Sequence, residues 1–194
     1  MTLVLASASP RRQELLRNAG IAFTVQPADI DESPQDGESP VECAQRLARE
    51  KALAVSPSRP LDCVLGADTI VVIDEKILGK PRDPADAARM LRLLSGRTHE
   101  VVTGVCLVGP VGERRTESRE LRAASETTRV TMCKISDEDI GEYITTGEPT
   151  DKAGAYAIQG MASRWIPRIE GDYSNVVGLP VALVYRMLQD RREL

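Results

Sequence analysis

The most informative scarcity in this 194-residue chain is histidine: there is one, His99. The four cysteines, Cys43, Cys63, Cys106 and Cys133, include no CxxC pair. A zinc site built from His and Cys is therefore disfavoured. Aromatics make up only 3% of the chain. Base stacking on aromatic platforms, the usual device for single-stranded nucleic acid, has little to work with. The net charge is −4, so no global basic field draws nucleic acid or anionic lipid. No apolar run approaches membrane-spanning length, and no secretory leader pattern is present. Neither a GxxxxGK[ST] loop nor a GxGxxG fingerprint occurs, which disfavours P-loop and dinucleotide-binding folds. The expectation is a cytoplasmic protein with reduced thiols, in which Cys63, Cys106 and Cys133 are buried.

Hydrophobic residues make up 42% and charged residues 28%, ordinary for a single globular domain spanning 1–194. Near the start, an apolar strand (3–5) runs into Ala6-Ser7-Ala8-Ser9-Pro10-Arg11-Arg12. Ser9 is a natural N-cap and Pro10 suits the first helical position. Two arginines in the first turn oppose the helix dipole, so the turn reads either as a capped surface helix or as a site for an anion. A strand over 21–26 and an acidic loop over 27–39 follow, the loop carrying Glu32. Ser39-Pro40-Val41-Glu42 is a capping box opening a helix to about Val55. Lys51 falls on the apolar stripe of that helix, where it either snorkels or points into a polar pocket.

The most strand-like run is 63–73, interrupted by Asp68. An ionised carboxylate among β-branched residues costs several kcal/mol unless it is paired or bound to a metal. A helix is expected from Pro84 to Leu94, strands over 98–108 and 127–135 as an antiparallel pair, a helix capped by Ser136, a strand over 165–170 and a final helix after Pro180. The 109–125 stretch is weakly patterned, a turn with an extended return. His99 reads as structural.

Gathering the polar residues that these elements do not explain leaves Ser7, Ser9, Arg11, Arg12, Glu32, Lys51, Asp68, Lys80, Asp151, Lys152 and Gln159. Cations with carboxylates suggest a phosphate ester bound with Mg²⁺. In order along the chain, the Ala6–Arg12 block, Glu32, Gly66-Ala67-Asp68-Thr69, Leu78-Gly79-Lys80-Pro81, the block from Asp151 to Gly160 and the block from Gly171 to Pro180 resemble the Maf family of nucleoside triphosphate pyrophosphatases.

The resemblance implies an α/β fold: a mixed twisted sheet with flanking helices, in two lobes around a central cleft, similar to the inosine triphosphate pyrophosphatases. It implies cleavage between the α- and β-phosphates with Mg²⁺ or Mn²⁺, and a cytoplasmic homodimer without nucleic-acid or membrane partners. Within the family, Arg11, Thr69 and Gln159 resemble the subgroup acting on dTTP and UTP. A glutamine amide can donate to a pyrimidine O4 and accept from N3–H. Carried over residue by residue, Glu32 and Asp68 hold the metal, with Asp68 as general base. Lys51, Lys80 and Arg12 meet the phosphates with Ser7 and Ser9, and Arg11, Thr69 and Gln159 choose the base. Two other readings stand beside this one: a nucleotide-binding regulator of septum formation with little turnover, and a phosphohydrolase acting on a modified nucleotide or phosphosugar.

Overall fold

The computed structural model describes residues 2–111 and 119–190. In chain order the elements are β1 (Leu3–Leu5), α1 (Pro10–Asn18), β2 (Phe23–Val25), α2 (Pro40–Val55), β3 (Cys63–Ile73), β4 (Lys76–Leu78), α3 (Pro84–Leu94), β5 (Thr98–Val108), β6 (Leu121–Thr131), α4 (Asp137–Thr145), β7 (Arg168–Glu170), α5 (Tyr173–Val177) and α6 (Val181–Gln189). Among the described residues seven strands form one mixed sheet in the order β2-β1-β3-β5-β6-β7, with β4 beside β3. β1 is parallel to β2 and β3, whereas β4 and β7 are antiparallel to their neighbours. The expected mixed α/β sheet with helices is present.

The chain divides into two compact units that are interleaved in sequence. One is Met1–Asp68, Thr103–Glu126 and Gly178–Leu194; the other is Thr69–Val102 and Thr127–Val177.

In the first unit, alternation along the strands sorts side chains onto two faces. Leu3, Leu5, Cys63, Leu65, Ala67, Val105 and Leu107 pack with Leu16 of α1 and with Val184 and Met187 of α6. Val4, Ala6, Val64, Cys106 and Val108 face the other way, onto Ala48, Ala52 and Val55 of α2. The Ser39–Glu42 capping box starts α2 as expected, and its buried stripe includes Lys51. Two glycines under the helix let it settle unusually close to the sheet. A Cβ on Gly66 would lie 2.0 Å from Ala48 O, and one on Gly104 would lie 2.2 Å from Ala44 O.

In the second unit α3 packs against α4 and against the short 3₁₀ turn Ala153–Ala155. His99 is 2% exposed, and its Nε2 shares a 2.8 Å hydrogen bond with Tyr156 OH. Burial pushes its pKa down to about 4, so it is a neutral core residue.

Several local expectations are corrected. β2 is shorter than 21–26, lies at the sheet edge and is largely exposed. The strand expected over 127–135 begins at Leu121 and ends at Thr131, and Cys133, beyond its end, is exposed rather than buried. Trp165 closes a 3₁₀ turn, and only Arg168–Glu170 is strand. The turn expected within 109–125 falls largely on 112–118, outside the described residues, as does most of the charged C-terminal tail.

Candidate functional site

Local chemistry first fixes the loop before α1. Ser9 caps the helix, its Oγ accepting from Arg12 N–H at 3.5 Å, with Pro10 in the first turn. Ser7 Oγ accepts from Ser9 N–H at 3.2 Å and from Arg12 Nη1 at 3.2 Å. Arg12, 9% exposed, also donates from Nη1 to Ala67 O at 2.8 Å and from Nε to Gly178 O at 2.7 Å. The guanidinium is thus locked between β3 and the end of the 171–180 block, which gives that block a structural task. Burial lowers the Arg12 pKa, and the nearby Asp68 and Glu32 carboxylates raise it. An arginine keeps its charge under such opposing pulls. Arg11, the next residue back on the same turn, is half-buried.

Asp68 lies on the same face of β3 as Gly66, so it points toward α2. The close seating of α2 brings Lys51 to it: Nζ is 2.6 Å from Asp68 Oδ1. The same Nζ is 2.6 Å from Glu32 Oε1 in the acidic loop. The side chains of Lys51 and Asp68 are 9% and 10% exposed, that of Glu32 42%. The apolar surroundings that make a lone Asp68 costly are offset by this pairing. Lys51 points into a polar cluster rather than snorkelling.

A residue that sequence reasoning missed holds Glu32's loop in place. Arg46, five residues before Lys51 on α2, grips Glu38 bidentately at 2.7 and 2.9 Å and donates to Ser33 O at 3.1 Å. It also pairs with Glu50, and the i,i+4 spacing of that pair was visible in the sequence. Arg46 holds the Glu38 carboxyl down to about 2. The contact to Ser33 pins the backbone one residue from Glu32.

Among the described residues no three His, Cys, Asp or Glu side chains group as a metal cage. Glu32 and Asp68 nonetheless aim carboxylate oxygens at one point, the Lys51 ammonium. Two hard oxygen donors suit Mg²⁺ or Mn²⁺ of the kind that keeps several waters and completes its shell with substrate phosphates. The residues present fit such an ion.

The first unit therefore brings Ser7, Ser9, Arg11, Arg12, Glu32, Lys51 and Asp68 into one unit and ties most of them directly. Thr69, half-buried, is the first residue of the second unit. That unit also carries Lys80 and Gln159, both exposed. Gly79, beside Lys80, accepts from Gly154 N–H at 3.1 Å, so the end of β4 is bound to the block that bears Gln159. Lys152 is engaged locally, its Nζ donating to Glu148 O and Asp151 Oδ1, each at 2.6 Å.

Comparison with known proteins identifies the family. Residues 2–191 match the family described as Maf-like protein. A dTTP/UTP pyrophosphatase of Koribacter versatilis (strain Ellin345) is 61% identical over 189 residues, covering 97% of this chain and 94% of that protein. One from Citrifermentans bemidjiense is 52% identical over 188 residues, with the same coverage of 97% and 94%. Among solved structures, the Staphylococcus aureus Ham1 protein aligns with 68% of this chain and 72% of its own at 13% identity. Its TM-score of 0.37 is too low to bear on fold or activity. With a family match over nearly its whole length, the chain belongs to the Maf-like protein family.

Proposed function

We propose that this chain is a nucleoside triphosphate pyrophosphatase that hydrolyses dTTP and UTP to the monophosphate and pyrophosphate. The observation that carries the reading is the cluster in the first unit, where buried Arg12, Lys51 and Asp68 stand with the exposed Glu32 and no histidine or cysteine takes part. Cations without a nucleophile suit phosphoryl chemistry, where positioning and charge neutralisation do most of the work. The relatives named dTTP/UTP pyrophosphatase support the substrate class.

In this mechanism Arg12, Lys51 and Lys80 bind and neutralise the triphosphate and the departing pyrophosphate. Ser7 and Ser9 keep the α1 loop and Arg12 in register. Asp68 orients a water for in-line attack on the α-phosphorus and accepts its proton. Glu32 and Asp68 would hold a divalent cation, Mg²⁺ or Mn²⁺, which would polarise the phosphoryl oxygens and offset their charge. Arg11, Thr69 and Gln159 select the base.

The test is a nucleotide panel with the purified protein in Mg²⁺ or Mn²⁺, scoring pyrophosphate against orthophosphate. Pyrophosphate from dTTP and UTP, abolished by EDTA and restored by added metal, is expected. Orthophosphate as the product, or binding without turnover, overturns the proposal.

A further inference from the structure

Gln159 sits exposed on a tight turn in which Gly160 N–H returns to Ala157 O at 3.1 Å. Of the turn Ala157-Ile158-Gln159-Gly160 only Ile158 is buried, and such a turn has little intrinsic reason to hold the exposed Gln159 side chain in one orientation. This one is fastened on both sides. Tyr143 of α4 is fully buried, edge-on to Trp165 with ring centroids 5.3 Å apart. Its hydroxyl accepts from Ala157 N–H at 3.2 Å and donates to Glu148 Oε1 at 2.6 Å. Glu148 Oε2 in turn accepts from Met161 N–H at 3.2 Å. One hydrogen-bond chain thus runs from Ala157 through Tyr143 and Glu148 to Met161 and brackets Gln159. Gly160 makes room for the carboxylate, since a Cβ there would lie 2.2 Å from Glu148 Oε1. Burial and the adjacent carboxylate raise the phenol's pKa well above its ordinary value, so the donor proton stays in place.

We propose that Tyr143 and Glu148 are positioning residues for nucleobase selection, holding the 157–161 turn so that the Gln159 carboxamide meets the base in one place. This rests on the assignment of Gln159 given above. A carboxamide distinguishes uracil from cytosine by which of its ends faces O4–N3–H or N4–H₂–N3, and that discrimination needs a fixed offset. Of the phosphate-handling groups, Lys80 shares the unit of this turn but follows β4, while Arg12, Lys51 and Asp68 stand on α1, α2 and β3, so loosening the turn affects selectivity ahead of turnover.

The test compares Tyr143→Phe, Glu148→Ala and Gln159→Ala by kcat/KM for UTP and CTP, with amide hydrogen exchange over 157–161. Tyr143→Phe keeps the ring and its packing. It is expected to lower the UTP-to-CTP preference about tenfold, the scale of one lost hydrogen bond. Its kcat on UTP should stay within about threefold of wild type while the 157–161 amides exchange faster. An unchanged preference in Tyr143→Phe, with Gln159→Ala lowering it, overturns the positioning role and leaves the Gln159 assignment standing. Equal losses on UTP and CTP also overturn it, as a purely structural role predicts. Should Gln159→Ala leave the preference unchanged, the base-reading assignment falls and this inference with it. If Glu148→Ala does not fold, Tyr143→Phe decides alone.

Discussion

At the scale of single residues, Asp68 and Lys51 make separable contributions. Asp68→Asn keeps size and polarity but removes the base. Pyrophosphate release should fall roughly 10²–10⁴-fold, the usual range for a general base, with circular dichroism unchanged. Turnover close to wild type would take Asp68 out of that role. Lys51→Met is a different experiment, because it leaves the carboxylate of Asp68 buried without its cation. Breaking a buried pair from one side costs about 3–5 kcal/mol. The Lys51→Met protein should lose stability on that scale in urea, and adding Asp68→Asn should recover part of the loss, since a neutral amide is cheaper to bury. Strict additivity of the two changes would show that they are not coupled. Lys51's position on the apolar stripe and Asp68's interruption of β3 were each visible in the sequence. That one meets the other was not, because the contact spans two elements.

At the scale of elements, the approach of α2 to the sheet decides whether these groups meet at all. Gly66 and Gly104 leave the sheet surface flat under Ala44, Ala48 and Ala52. Gly66→Ala would place a methyl group 2.0 Å from a helix carbonyl, and backbone cannot yield as a flexible side chain does. Overpacking of this kind costs about 1–3 kcal/mol. Lifting α2 also draws Lys51 from Asp68, so stability and turnover should fall together, measured by urea midpoint and pyrophosphate release. The same substitution at Gly141, exposed within α4 and with nothing near its absent Cβ, should instead stabilise by about 0.5–1 kcal/mol. If both changes shift the midpoint alike, close packing is not what Gly66 serves. Element boundaries were legible where local chemistry declares them: the capping box of α2, the Ser136 cap of α4 and the long apolar run of β3 on either side of Asp68. They failed at β6, where 121–127 are exposed or half-buried and resemble a loop, while the buried Thr128 and Val130 mark the later half as strand.

For the molecule as a whole, stability against pH has one clear source between pH 5 and 7. His99 is the chain's single histidine, and burial lowers its pKa to about 4 from 6.5. Above 6.5 both folded and unfolded forms are neutral there, and the stability is fully present. As the pH falls below 6.5 the unfolded chain takes up a proton that the folded one refuses, and stability declines until about pH 4. Between pH 7.5 and 5 the loss should be about 2 kcal/mol, read from urea unfolding. Glu38, depressed from 4.5 to about 2, acts in a lower window. His99→Gln should therefore flatten the profile above pH 5, and an unaltered slope would contradict this assignment. Among the described residues no helix is long and apolar enough to cross a membrane.

Taken alone, the sequence determined the elements whose signals are local and the residue types of the site. Capping, periodicity and apolar runs need only a few neighbours to be read, and an unexplained Asp68 or Lys51 stands out against its own segment. Tertiary structure alone decided which of these groups touch: Lys51 against both carboxylates, Arg12 locked to Ser7, Ala67 and Gly178, Arg46 on the acidic loop, Tyr143 and Glu148 on the Gln159 turn. Those contacts join residues from different elements, many of them dozens of positions apart. The Lys51 contacts in particular depend on how closely α2 can settle onto Gly66 and Gly104, which no local pattern encodes.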